Sequence, residues 1–349
     1  MEATKGKPSF FDNFTRSVKA KPATAIVILI TLLFTVLIAV QGGASAIVNT
    51  IVTGGMWALM SAGLALVFGV MNIPHFAHGE SFMVGAYVAY FVFTPINEYV
   101  KTHPSAFLSA VGPFAGMIVA MLVGFVLGAI LEKLVFYPLR RRTKAGWVMN
   151  AFLLTVGVSF VLSNGALLTL GANFRGVPRY WDVEPLKLLG VQIAVDRLVA
   201  FVVAVIAIMI FWLFLQRTRT GRAIRAVSQD ETGAQIVGIN LNAIHTLTFS
   251  LATALAALSG ATLLFMFPAY PTVGLKPLYF AWYVVMLVGL GNVAGAILGG
   301  FMVAVLQAVT QQFVGIAWED VVPVAVMIIV LVLVPSGIFG SEVKGIQEQ

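Results

Sequence analysis

No cysteine occurs anywhere in the 349 residues. Structural disulfides, thiolate metal sites and cysteine nucleophiles are thereby excluded, while the compartment stays open. Charge is scarce: Asp, Glu, Lys and Arg make up 10% of the chain, against roughly 25% in soluble domains. A phosphate-binding P-loop is also missing. Gly6-Lys7 has no glycine five positions before Gly6 and no Ser or Thr after the lysine. No intramembrane nucleophile–base pair and no dense carboxylate cluster stands out, which argues against a membrane enzyme. Nor does any ring of filter residues suggest a passive channel.

What remains is overwhelmingly apolar. Hydrophobic residues are 60% of the chain and mean hydropathy is +0.97, as expected when most of the solvent is lipid. The net charge of +7 does not imply nucleic acid. The basic residues sit in short clusters between apolar runs, and the positive-inside rule accounts for such clusters. Ala257-Leu258-Ser259-Gly260-Ala261 faintly resembles an ATPase signature, but it lies in an uncharged apolar stretch and reads as helix packing. If ATP drives this protein, another chain hydrolyses it.

A helix needs about 20 apolar residues to span the hydrocarbon core. The first such run, Ala23 to Val40, follows Lys5, Lys7, Arg16, Lys19 and Lys21 and precedes Ala44-Ser45-Ala46. It resembles a secretory signal but exceeds the roughly 7–15 apolar residues of one, so it reads as an uncleaved span. Others are expected near 46–69, 110–136, 147–170, 197–215, 246–267, 279–290, 295–313 and 321–338, with a break over 70–79 and a shorter helix over 80–93. The fold class is thus an all-α polytopic membrane protein of about ten helices with broken or re-entrant segments. The chain divides into a basic tail (1–21), one transmembrane domain (22–340) and a short C-terminal tail (341–349). Arg140-Arg141-Arg142 with Lys144, and Arg217, Arg219, Arg222 and Arg225, are expected on the cytoplasmic side with both termini; segments 94–108 and 171–196 are expected outside.

Three stretches carry chemistry. The first runs from Gly63 through Asn72-Ile73-Pro74-His75-Phe76-Ala77-His78-Gly79-Glu80 to Tyr87. Pro74 removes a backbone donor and disfavours helix at Ile73. Ionisable groups in a membrane stretch usually face a bundle interior or an aqueous path, so Asn72, His75, Phe76, His78 and Glu80 read as a path-lining or gating element. The plainer alternative is a loop at headgroup level. Two histidines and one glutamate at this spacing do not make a metal site. The second stretch, within a cytoplasmic loop at about 216–245, runs from Thr218 to Asn240. Ala226, Val227, Ala234, Ile236 and Val237 can form a short amphipathic element that Gly238 terminates. Such an element suits docking on a soluble partner, or equally an interfacial helix on anionic headgroups. The third stretch, Gly289 to Gly300, spaces Gly291, Gly295 and Gly299 by four, a stripe that lets helices approach closely. Asn292 is its polar exception and a further path candidate. The two glycine-rich interruptions fall in opposite halves of the chain, as in transporters with inverted repeats.

With these motifs in order, the sequence resembles the permease subunits of the branched-chain amino acid ABC importer family, across nearly the whole chain after the first 20 residues. Phe76-Ala77-His78-Gly79 matches that family's Asn-Phe-Ala-His-Gly, with His75 in place of the asparagine. Gly221-Arg222-Ala223 through Gly238-Ile239-Asn240 is similar to its coupling loop, and Gly289 to Gly300 to its late glycine-rich segment. The resemblance implies a type II-like ABC importer permease in the bacterial inner membrane. It implies pairing with a second, homologous permease, two ATPase subunits that hold ATP-Mg, and an extracytoplasmic solute-binding protein docking on loops that bear Arg175, Arg179, Asp182 and Glu184. No cofactor is expected on this chain itself. Carried over by position, Gln229 to Gly238 forms a coupling helix, with Arg222, Arg225, Gln229, Asp230, Glu231, Ala234 and Gly238 contributing to ATPase contact. Branched-chain or related amino acids are the expected solute. The His75 departure leaves urea, short amides or aromatic acids as alternatives. The rival class is a proton-coupled secondary transporter relaying through His75, His78 and Glu80.

Overall fold

The computed structural model describes residues 22–143, 146–188 and 191–340. The expected basic N-terminal tail, Lys144 and the C-terminal tail at 341–349 lie outside the described residues. Helices dominate: α1 Pro22–Met71, α2 His78–Thr102, α3 Ala106–Leu131, α4 Tyr137–Arg142, α5 Trp147–Leu170, α6 Val195–Arg217, α7 Arg219–Gln229, α8 Glu231–Ile236, α9 Leu241–Thr262, α10 Leu275–Val288, α11 Val293–Phe313 and α12 Val321–Leu333. Among the described residues, 7 helical segments are long and apolar enough to cross a membrane.

Several expected boundaries move. The first two spans share one 50-residue helical run, broken at Gly43, where φ is 65°. That left-handed geometry, which glycine adopts without a Cβ clash, lets the run fold back. Thr31, Thr35 and Ile38 then line the same cleft as Ile47 and Ile51. The short helix expected over 80–93 instead reaches Thr102 through Pro95. Its apolar face continues past Phe93 to Ile96, which packs under Gly112 of α3. Beyond Leu131, α3 does not stop either; a π-turn, Glu132–Phe136, joins it to α4. From α4, Arg140 donates to Glu132 of that turn, whose other oxygen accepts from Thr246 Oγ1 at 2.8 Å. The span expected at 246–267 begins earlier, where Asn240 Oδ1 accepts from the Ala243 N–H at 3.1 Å, and ends at Thr262. The next is only 14 residues long. The last closes at Leu333, five residues short of expectation. One feature departs from the all-α expectation: in the loop after α5, Leu186–Leu188 pairs antiparallel with Val191–Ile193.

Burial sorts the helices into two shells. The part of α1 after Gly43, with α2, α9, α10 and α11, forms the core around Trp57, Leu64, Phe82, Phe249 and Phe280. The rest face outward with apolar surface: Leu29, Leu168, Ile210 and Val332 are largely exposed. In water that surface would be an aggregation hazard; in hydrocarbon it is the ordinary outer face. One end of the bundle gathers Arg140 to Arg142, α7, α8 and the turn at Gly289–Asn292. The opposite end gathers Gly43, the β-hairpin, the Arg175–Ala269 bridge and the 3-10 turn Ile316–Trp318.

Candidate functional site

The break after α1 is built around one threonine. Asn72 is the only described non-glycine residue with a positive φ, 52°, a conformation asparagine tolerates better than most. Its N–H still donates to Phe68 O at 3.0 Å and closes the helix. From α5, Thr155 Oγ1 accepts from the Phe76 N–H at 3.2 Å, and its single O–H is shared between Phe152 O at 2.8 Å and Pro74 O at 3.1 Å. One hydroxyl thus satisfies backbone that Pro74 frees from the helix. Non-helical backbone is tolerated at membrane depth only when so covered.

Of the polar groups of this break, Asn72 is exposed, whereas His75, His78 and Glu80 are enclosed. His75 is fully buried, with its ring centroid 4.6 Å from Phe249 and 5.6 Å from His78. His78 opens α2, and its Nε2 lies 3.1 Å from Met60 O, so that nitrogen carries the proton. Glu80 accepts from Ser159 Oγ at 2.7 Å. Phe76 is half-buried between Phe152 and Trp282. The two histidines therefore adjoin, while Glu80 turns to a different helix. No group of three His, Cys, Asp or Glu side chains suited to a metal ion occurs among the described residues.

The glycine-rich interruption between α10 and α11 packs directly against this break. A Cβ on Gly69 would sit 3.0 Å from Gly291 O. Asn292 caps α11, its Oδ1 accepting from the Gly295 N–H at 2.8 Å, and its Nδ2 donates to Phe339 O at 3.0 Å. Gly295 and Gly299 lie against Val288 and Val284 of α10.

At the basic end, the helix expected over Gln229–Gly238 is the shorter α8, and the amphipathic element expected from Ala226 to Val237 is divided between α7 and α8. Gln229 ends α7, and Asp230 then caps α8, its carboxylate accepting from the Gly233 N–H at 2.9 Å. A residue that caps in extended geometry cannot also continue the preceding helix. Ile224, Val227 and Ala234 are buried, whereas Arg222, Gln229 and Glu231 are exposed. Arg225 donates to Gln216 at 2.8 Å. Gly238, at φ 85°, ends α8. Its N–H donates to Gln235 O, and the Ile239 N–H donates to Ala234 O, both at 3.0 Å. This paired motif is one that glycine favours. It leaves Ile236 80% exposed and Val237 75% exposed, side by side.

Sequence reasoning missed a further site at the opposite end. A cavity of about 580 Å³ opens between α1, α6, α10, α11 and the 3-10 turn. Glu319 accepts from Lys276 and Gln311, and from Gln307 Nε2 at 3.2 Å. Gln307 in turn accepts from Trp57 Nε1 at 3.0 Å. Gln307 and Gln311, four apart on α11, were the available signal, hidden in a stretch that otherwise reads as an apolar span. Arg179, Asp182 and Glu184 are exposed at this same end. Arg175 is held there, donating to Leu170 O at 2.9 Å.

Against this geometry stand the comparisons with known proteins. Residues 46–331 match the family model described as the branched-chain amino acid transport system permease component. The high-affinity branched-chain amino acid transport system permease protein BraD of Pseudomonas aeruginosa is 30% identical over 300 residues, covering 84% of this chain and 94% of the relative. LivH of Escherichia coli, of the same description, is 28% identical over 297 residues, with the same coverage. The probable branched-chain amino acid transport permease LivM of Methanocaldococcus jannaschii is 22% identical, covering 81% of this chain and 90% of the relative. No solved structure matches the chain.

Proposed function

The chain belongs to the branched-chain amino acid transport permease family, and from that premise we propose that it forms half of the path of an ATP-driven importer for branched-chain amino acids. The observation that carries the reading is the family match over residues 46–331. It is a multi-pass membrane protein of the inner membrane. The second half of the path is a homologous permease; that such relatives include both LivH and LivM proteins supports a heteromeric pair. The type II-like arrangement of about ten spans, with both termini cytoplasmic, is part of the same proposal and follows the positive-inside rule.

Two ATPase subunits holding ATP-Mg dock on the basic end, and α7 with α8 transmits their closure. The exposed Ile236–Val237 pair supports this. An apolar pair held rigidly beyond a glycine cap suits a groove in a soluble partner. The loaded binding protein docks at the other end, on the loop carrying Arg179, Asp182 and Glu184. Asn72, His75, Phe76, His78, Glu80 and Asn292 belong to an inner gate, closed in this conformation, where the two breaks meet at Gly69 and Gly291.

The test is uptake into proteoliposomes containing the assembled complex, comparing leucine, urea and benzoate, with and without internal ATP and binding protein. Leucine uptake that needs both is the expected result. Uptake by the lone chain, driven by a pH gradient and indifferent to ATP, would overturn the reading in favour of a His75–His78 relay.

A further inference from the structure

The cavity around Glu319 is lined unevenly, and the unevenness has the pattern of an amino acid. Met56, Trp57, Met266 and Phe267 supply apolar lining, and Arg197, Lys276 and Glu319 supply charge. The charged groups differ in how far they are already satisfied. Glu319 accepts from three donors, Lys276, Gln307 and Gln311. An ionised carboxylate offers about four acceptor sites, so one stays open. Lys276 is held by Glu319, with Asp320 Oδ1 at 3.9 Å as well. Arg197 is different: its guanidinium donates to the neutral Asn49 Oδ1 at 2.7 Å, and no carboxylate among the described residues pairs with it. It also lines a second cavity of about 280 Å³ beside the first. A half-buried guanidinium without a carboxylate is a ready partner for one, and can take it bidentately.

The geometry points to a binding site for the zwitterion of an apolar α-amino acid in this cavity. Arg197 pairs with the carboxylate, Glu319 accepts from the ammonium, and Met56, Met266 and Phe267 take the side chain. The site lies at the end opposite the basic clusters, so it is the first protein-lined stop after release from the binding protein. Binding there is weak, because a path that holds its solute tightly releases it slowly. This inference rests on the importer reading above.

This chain has no native cysteine, so labelling read on its own band is a direct test in the reconstituted complex. A single Ala308→Cys reports from the cavity wall, and a single Arg141→Cys at the exposed far end serves as control. Maleimide labelling is followed with leucine, leucinamide (no carboxylate charge) and 4-methylpentanoate (no ammonium). With a Kd of ~1 mM, about 10 mM leucine slows labelling of Ala308→Cys roughly tenfold. Neither analogue does so, and Arg141→Cys is unaffected. Arg197→Gln abolishes the leucine protection at unchanged melting temperature, while Arg197→Lys keeps part of it. Equal protection by all three solutes, or none from leucine, overturns the site. ATP-driven leucine uptake is measured in the same vesicles. Uptake without protection defeats this site alone; absence of leucine uptake in complexes that carry another solute defeats the importer reading instead.

Discussion

Gly69 and Gly291 touch backbone to backbone, so close that a Cβ on Gly291 would lie 2.7 Å from Gly69 Cα. The two segments that leave helical geometry are therefore a single structural feature. Gly69 lies in the last turn of the long helix before the break; Gly291, at φ 78°, turns the chain between α10 and α11. Gly291→Ala suffers twice, from the contact and from the left-handed backbone, while Gly69→Ala suffers from the contact alone. Each is expected to lose roughly 1–3 kcal/mol, with Gly291→Ala the worse. Thermal unfolding in detergent checks the order. Equal melting temperatures for the two variants and the native protein would dissolve the proposed junction.

Thr155 is the clamp on the first break. Thr155→Val keeps the shape but strips the bonds to Pro74 O and Phe76 N, and each buried group left unpaired costs about 1–3 kcal/mol. Thr155→Ser keeps both bonds. A reporter at the buried Ala77, as Ala77→Cys, is expected to label faster by at least an order of magnitude in the valine background and at the native rate in the serine background.

The Glu132–Arg140 pair tests how the π-turn is held. Glu132 is 1% exposed at its side chain. Arg140→Leu strands that carboxylate with only Thr246, which is expected to cost about 3–5 kcal/mol. Glu132→Leu with Arg140→Leu removes both charges and recovers most of the loss. A double-mutant cycle on melting temperature measures the coupling; additive effects would mean the pair does not act as a unit.

Orientation is open to labelling from either side. Arg141→Cys and Arg219→Cys react with impermeant maleimide only in inside-out vesicles, and Glu184→Cys only in right-side-out ones. Labelling of all three from one side would break the topology.

Much of this was legible in the sequence, and the remainder was hidden for identifiable reasons. Pro74 announces the break because its missing N–H cannot be disguised, and Gly238 announces a helix end. Asp230 is less obvious: a capping residue inside a continuous-looking pattern divides one expected amphipathic element between two helices. The glycine stripe signals close approach, yet nothing in it says that Gly291 meets Gly69, more than 200 residues earlier. The β-hairpin rests on two three-residue strands, too short for alternation to stand out. The cavity was least legible of all. Asn49, Arg197, Lys276, Gln307 and Glu319 come from five separate segments, and each alone reads as polar punctuation beside a membrane span.

The central claim is that ATP-driven motion enters this chain through α7 and α8. It is tested most directly by measuring ATP hydrolysis and leucine uptake together in proteoliposomes, for the native complex and for Gly238→Pro. Proline cannot adopt φ 85° or donate the bond to Gln235, so the paired cap of α8 is lost and Ile236 and Val237 are no longer presented. A second variant, Ile236→Asp with Val237→Asp, leaves that cap intact and changes only the exposed pair. The expected result for both is normal membrane insertion with uptake collapsed relative to the ATP hydrolysed. Native uptake per ATP in both variants would contradict it.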